Sequence, residues 1–176
     1  MSEIVTMGEP KIICAIPFRH AEFIGKGYTI WRGTTNGNGL EGDEEQDMRS
    51  LVLKEVDLTE ALFKIPINKG EDPITGEEKL KRLKSLGYIL IDARFAAALY
   101  SEPCYSTLEW LRINRGINWF YFPGTTFRSP GGDRCVFFLH FYSFVHRWLS
   151  GMVRLESAWL FCGPAVVLVD NLSPAK

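Results

Sequence analysis

The sequence predicts a single α+β domain over residues 1–176, with N-terminal strands, a central pair of short helices and a C-terminal antiparallel sheet that contains a hairpin. The length matches one domain. The clearest helix-capping signals lie in residues 75–100, and aromatic and β-branched runs separated by turn residues dominate after residue 103. An alternative is that the domain is subdivided near 101–105, between an acidic, helix-containing half and an Arg- and aromatic-rich β half.

The N-terminal segment predicts two strands, Lys11–Pro17 and Tyr28–Trp31. Glycine, asparagine and acidic residues crowd the segment 33–47, which indicates a loop because glycine, asparagine and aspartate tolerate a positive φ. Leu51–Leu58 is interpreted as a strand. The alternative is that it leads into a short helix capped at Asp57.

The middle of the chain predicts two helices. Thr75 and Glu78 form a capping box, and Gly87 ends the helix that follows. Three leucines then share one face of this helix: Leu80, Leu83 and Leu86. Asp92 caps a second helix over Ala93–Tyr100. We expect the two helices to pack together as an αα-hairpin or a helix-turn-helix-like unit.

The C-terminal half predicts a hairpin of 118–128 with 133–142, joined by turn residues at Ser129–Asp133. Ala165–Val169 predicts the last strand. Residues 135–148 also allow a helix, because four aromatic residues are spaced for one helix face. These are Phe137, Phe141, Phe144 and Trp148.

Composition and targeting signals narrow the class of protein. Lys and Arg number 20 against 21 for Asp and Glu, so the net charge of −1 excludes a histone-like basic protein. No basic, apolar leader and no run of about 20 apolar residues is present, which predicts a cytoplasmic protein without a membrane segment. The four cysteines are widely spaced and predict buried, reduced thiols without a zinc pair. They are Cys14, Cys104, Cys135 and Cys162.

Motifs for cofactor and metal chemistry are weak. The glycines of 33–39 match neither a dinucleotide-binding loop nor a P-loop, and acidic residues follow them. Cys135, His140 and His146 have ligand-like spacing, but a strand turns Cys135 and His140 to opposite faces. The sequence therefore predicts no cofactor and no metal site.

Charge and aromatic residues are distributed unevenly along the chain. Residues 1–88 carry 15 acids and 12 bases, whereas residues 89–176 carry 6 acids and 8 bases, seven of them arginine, together with 17 of the 23 aromatic residues. Arginine beside aromatic rings is typical of binding surfaces. The candidate ligand-binding residues are Arg112, Arg115, Arg128, Arg134, Arg147, Trp119, Tyr121 and Trp148. The alternative is that the rings fill the core and the arginine stems cover it.

These observations favour a non-enzymatic binding or interaction module whose Arg- and aromatic-rich β surface contacts a protein or an anionic ligand. Single-stranded nucleic acid is a weaker candidate, given the near-neutral charge. A small hydrolase or nuclease without a known motif is one alternative, with His20, His140, His146 or Asp92 in its site. A self-associating structural protein, a homo-oligomer, is the other.

Several short segments occur in a recognisable order. Ile30-Trp31 precedes Gly37-x-Gly39-Leu40, and Arg134-Cys-Val-Phe-Phe-Leu139 precedes Trp148-Leu149. In these segments, scattered over residues 30–169, the chain resembles a small family of uncharacterised bacterial proteins with no known activity. The resemblance implies an α+β fold and a bacterial or mobile-element origin, and it transfers no site.

A second resemblance concerns the run Tyr28-Thr-Ile-Trp-Arg-Gly33, which is similar to the strand that carries an arginine in ADP-ribosyltransferases. The β-rich C-terminal half also agrees with that family. However, the late Glu-x-Glu motif of the family is missing, because only Asp133, Glu156 and Asp170 are acidic after residue 109.

Overall fold

The computed structural model describes residues 9–19, 23–33, 35, 37–158 and 163–170, and it has the expected α+β class. The strands are β1 (Ile12–Cys14), β2 (Thr29–Ile30), β3 (Glu55–Asp57), β4 (Leu62–Lys64), β5 (Ile89–Leu90), β6 (Trp119–Arg128), β7 (Arg134–Tyr142), β8 (Arg147–Arg154) and β9 (Ala165–Leu168). The helices are α1 (Met48–Leu51), α2 (Gly76–Ser85), α3 (Ala93–Ser101) and α4 (Ser106–Arg115), and a 3-10 turn covers Pro103–Tyr105.

A seven-stranded sheet organises the chain. Its main path has the order β4-β9-β6-β7-β8, with β2 on β6 and β5 on β9, while β1 and β3 form a separate two-stranded sheet. The predicted hairpin is confirmed as β6 and β7, and the predicted last strand as β9. All pairings in the large sheet are antiparallel except that of β9 with β6, which is parallel.

Residues 135–148 form strands and not a helix. β7 pairs with β8 in unbroken register, and Phe141 lies directly opposite Trp148. Phe137 and Trp148 are both buried in the same cluster, so the helix-like spacing of these aromatics arises because the strands meet across a short turn. Phe144 lies in that turn and is 86% exposed.

The two predicted helices lie on opposite faces of the sheet. Leu80 and Leu83 of α2 pack in one buried cluster, whereas Phe95 and Leu99 of α3 pack in the other. The expected packing of these two helices against each other is therefore wrong. The sequence predicts Ile89–Leu90 as a short link, but these residues form a strand that pairs with β9. The chain therefore crosses the sheet between the two helices.

Local capping explains why the helices begin where they do. The Thr75 hydroxyl accepts the Glu78 N–H at 3.2 Å, and Asp92 accepts the Arg94 N–H at 2.9 Å. Asp92 is fully buried and also accepts the Ser50 hydroxyl at 2.7 Å, which confirms its role as a helix cap. Ser50 belongs to α1, a short helix that was not predicted and that lies between the expected loop and the expected strand.

Helix α4 corrects the expectation that the chain is β-rich from Pro103 onward. Cys104 and Tyr105 both adopt a left-handed backbone, and the N-cap residue Tyr105 makes no side-chain cap, whereas the Glu102 carboxylate accepts the Thr107 N–H at 2.8 Å. Leu108 and Leu111 are fully buried against the core, so tertiary packing stabilises a helix whose start carries no recognisable signal. The helix ends at Gly116, which has a positive φ.

A glycine permits close approach of β5 to β6. A Cβ atom on Gly124 would lie 2.1 Å from the carbonyl oxygen of Leu90 and 2.6 Å from the carbonyl carbon of Ile91. The Gly124 N–H donates to Ile91 at 3.0 Å, and its carbonyl accepts the Asp47 N–H at 2.8 Å. This residue therefore holds three segments together through backbone contacts alone.

We expect Gly124→Ala to lower the free energy of unfolding by about 3 kcal/mol, because the added methyl group must displace backbone atoms. Urea denaturation monitored by tryptophan fluorescence measures the loss. Gly131→Ala is the control, since its Cβ would meet Asp133 at an ordinary 3.4 Å. Equal stability of Gly124→Ala and the wild type would contradict the close approach.

Candidate interaction surface

Two of the eight candidate binding residues belong to the core. Trp148 is 0% exposed and Tyr121 is 2% exposed, and they lie in different buried clusters on the two faces of the sheet. The Trp148 indole N–H donates to Glu109 of α4 at 2.9 Å. Both rings act as packing residues, which agrees with the alternative that rings fill the core.

Arg134 is buried at the inner end of the hairpin, the end nearest the turn between β6 and β7. Its guanidinium binds the carboxylates of Glu45 and Glu77 and lies 4.9 Å from the centre of the Trp31 ring. Burial alone would lower the pKa of Arg134, but these two carboxylates raise it above its usual value. Arg128 pairs opposite Arg134 and donates to the carbonyl of Asn38 at 2.9 Å.

The arginines of α4 cover rings from outside the sheet. Arg112 binds Glu109 at 2.7 Å and lies 4.5 Å from the centre of the Phe141 ring. Arg115 lies 5.6 Å from the centre of the Phe63 ring. The arginines singled out in the sequence are therefore divided among several places and do not form one patch.

The remaining two candidates, Trp119 and Arg147, lie at the outer end of the hairpin, nearest the turn between β7 and β8. Trp119 pairs opposite His140, and Arg147 pairs opposite Tyr142. Opposite residues of an antiparallel pair point to one face. Trp119, His140 and Tyr142, together with two neighbouring phenylalanines, form a continuous line of rings on this face, which we call the ring row. It consists of Trp119, Phe138, His140, Tyr142 and Phe144.

Neighbouring rings of the ring row contact each other in sequence. The Trp119 centroid lies 5.7 Å from Phe138 and 6.4 Å from His140. Tyr142 follows at 6.2 Å from His140, and Phe144 at 5.9 Å from Tyr142. Most contacts are tilted or edge-to-face, the arrangement that aromatic quadrupoles prefer.

The ring row changes from covered to exposed along its length. Phe138 packs against the cluster of α2, which includes Leu80, Leu83 and Tyr121. Tyr142 is 42% exposed and Phe144 is 86% exposed. Helix α2 therefore covers only the inner part of this face, and the outer rings face solvent.

Gly151 of β8 makes room for the inner ring. It lies opposite Phe138, and a Cβ atom there would be 2.7 Å from the tip of that ring. The ring therefore lies across the strand where no side chain projects. A larger residue at 151 would tip Phe138 out of the ring row.

The outer end of the hairpin carries little charge. Arg147 forms no ion pair within the described residues, and its charge is close enough to Tyr105 to oppose the rise in the tyrosine pKa that burial causes. Burial lowers the pKa of His140 below its usual 6.5, so this ring is neutral at neutral pH. The surface is thus mainly apolar, with a positive rim.

Sequence reasoning did not include Phe138, His140, Tyr142 or Phe144 among the candidate binding residues. A signal was present in the alternation of Val136, Phe138, His140 and Tyr142, which places every second residue of β7 on one face. Using it requires knowing that α2 covers only part of that face. That boundary depends on tertiary contacts.

The cysteines only partly follow the expectation of buried thiols. Cys135 is buried, and burial raises its pKa to about 11. Cys14 and Cys104 are exposed, so the expectation is wrong for them. Cys14 alternates with a buried isoleucine on the short outer strand β1, and Cys104 lies on the exposed turn before α4. Cys162 lies outside the described residues.

The residues proposed for catalysis are not brought into one site. Asp92 is a buried helix cap, His140 belongs to the ring row, and His146 lies in the turn after β7. His20 lies outside the described residues. Among the described residues no group of histidine, cysteine and carboxylate side chains could hold a metal ion, and no helix is long and apolar enough to span a membrane.

Arg32, the arginine of the segment similar to ADP-ribosyltransferases, is exposed and binds Glu44 at 2.7 Å. No protein-family model, no curated protein and no solved structure matches the chain. Both resemblances stated from the sequence remain predictions.

The Arg134 cluster makes stability depend on pH. Burial alone would raise the pKa of Glu45, but Arg134 and Lys84 lower it below its usual 4.5. A carboxyl group whose pKa is lowered by folding stabilises the protein at pH values above its pKa in the unfolded chain. This stabilisation is lost as the pH falls through the lower pKa that the group has in the folded protein. We expect Glu45→Gln to cost about 2 kcal/mol at neutral pH.

The same measurement at lower pH tests the cause. The difference in unfolding free energy between wild type and Glu45→Gln should shrink as the pH falls below the usual carboxyl value of 4.5. Urea denaturation at a series of pH values measures it. Glu60→Gln, at an exposed residue without an ion pair in the described chain, is the control. A difference that does not change with pH would refute the ionic explanation.

Proposed function

We propose that this protein is an interaction module that binds an apolar segment of another protein on the ring row. The observation that carries the proposal is the exposure of Tyr142 and Phe144 at the end of a rigid hairpin. Apolar rings that project from a regular strand and its turn lose little conformational entropy on binding. Aromatic residues of this kind are enriched among residues that dominate binding energy.

The balance of rings and charge favours a protein over nucleic acid. Near the outer end, Arg112 is paired with Glu109, so Arg147 is the cation there without an ion pair in the described residues. One phosphate contact on a single strand gives a slope of only about −0.7 in log affinity against log salt. Apolar burial therefore has to supply most of the binding energy.

The rigid base of the ring row supports the same function. Phe138 is held by the cluster under α2, and β7 pairs with a neighbour on each side. A bound segment would thus contact a strand and an inner ring that are held in place before it arrives. Preorganisation of this kind lowers the entropic cost of association.

Selection of peptides from a displayed random library tests the proposal. We expect the wild-type protein to select peptides rich in apolar residues. Synthetic copies of these peptides should bind Tyr142→Ser and Phe144→Ser about tenfold more weakly, measured by fluorescence anisotropy. The control is Val52→Ser, which alters a residue that is 76% exposed on α1's C-terminal cap, away from the ring row.

Two results would contradict the proposal. One is a failure to select any peptide, or equal binding of selected peptides to wild type and both ring variants. The other is tight binding of an oligothymidylate probe that weakens steeply with salt and is lost in Phe144→Ser. That second result would assign the ring row to single-stranded nucleic acid.

A further inference from the structure

β8 is an edge strand of unusual regularity. It pairs with β7 over all eight residues without a register shift, and it has no other partner strand in the described chain. Natural edges are commonly protected by proline, lysine or a bulge. β8 contains no proline and no lysine, and its only charges are Arg147 and Arg154 at its ends.

The direction of its outward backbone groups follows from one hydrogen bond. The Leu155 N–H donates to the carbonyl of Arg134 on β7 at 2.8 Å. Along an antiparallel ladder the donors alternate, so Gly151 and Val153 also point their backbone groups to β7. Ser150 and Met152 therefore point their N–H and C=O groups away from the sheet, and neither has another partner in the described chain.

The open part of this edge is symmetric about Gly151. Residues 149–153 are all partly exposed, whereas Trp148 before them is buried. A two-fold axis perpendicular to the sheet, passing between the Gly151 residues of two copies, would place Ser150 of one copy opposite Met152 of the other. Each outward N–H and C=O of these two residues would then gain a hydrogen-bond partner.

Charge favours a second copy in this orientation. The start of β8 carries Arg147, which has no ion pair in the described chain. At its end, Arg154 lies between Asp133 at 3.2 Å and Glu156 at 4.0 Å, so two carboxylates face one guanidinium. Antiparallel pairing of two copies brings the positive start of one strand beside the negative end of the other, twice.

We infer that two copies of this chain associate through β8, antiparallel about Gly151, to form one continuous sheet. The inference rests on the open edge and its charges and does not depend on the ligand of the ring row. A two-fold axis perpendicular to the sheet places the corresponding faces of the two copies on the same side of the joined sheet. The ring rows of both copies would therefore lie on the same side of the joined sheet.

Sedimentation velocity of the full chain at increasing concentration tests the dimer. We expect the mass to rise from 20.0 kDa to twice that value. Ser150→Pro removes an outward N–H without removing a bond to β7, and should weaken association about tenfold. Ser150→Ala is the matched control and should associate like the wild type. Thermal unfolding of each variant shows that it folds.

A charge exchange gives a second, independent reading. Arg147→Glu alone and Glu156→Arg alone should each weaken the dimer, and the double variant should recover much of the association. Phe144→Ser should leave the mass unchanged while it lowers peptide binding, so failure of one proposal is distinguishable from failure of the other. A monomer at every concentration, or unchanged association of Ser150→Pro, would overturn the inference. Persistent association without recovery in the double variant would also overturn it.

Discussion

The arrangement of the whole molecule depends on one buried cation. Arg134 is taken out of water at the inner end of the hairpin, and a buried guanidinium is tolerated only where carboxylates surround it. Glu77 supplies one carboxylate from α2, and Glu45 supplies the other from the loop before α1. This requirement draws both segments to the same end of the sheet. It therefore fixes which part of the face α2 covers, and α2 does not reach the outer rings of β7.

Local chemistry made part of the fold predictable. The caps at Thr75 and Asp92 are short-range hydrogen bonds between residues two or three apart, so the sequence contains everything needed to locate α2 and α3. α4 has no capping side chain at its N-cap residue, Tyr105, and the burial of Leu108 and Leu111 against distant residues stabilises it. β5 is too short to show a period, and only its pairing with β9 identifies it as a strand. Those elements depend on contacts between distant parts of the chain.

The aromatic content of the C-terminal half was predictable from the sequence, whereas the position of the ring row was not. Counting arginines and rings pointed to the half of the chain that contains the ring row. It could not separate Trp148, which points into the core, from Trp119, which lies in the ring row, because the two differ only in which face of a strand they occupy. The arginines were harder still. The carboxylate partners of Arg134 lie far away in the sequence, on α2 and on the loop before α1, whereas the partner of Arg112 lies three residues earlier in α4. Those partners decide whether a cation is available to a ligand.

Gly151 sets a limit on how this surface can diverge during evolution. The Phe138 ring occupies the space that any side chain at 151 would need, at the centre of the exposed edge. Even alanine there would have to be accompanied by a smaller residue at 138. Drift at this site therefore requires paired changes, whereas the exposed tip at Phe144 can exchange one ring for another singly. Orthologous chains should therefore diverge in the exposed rings sooner than in Gly151.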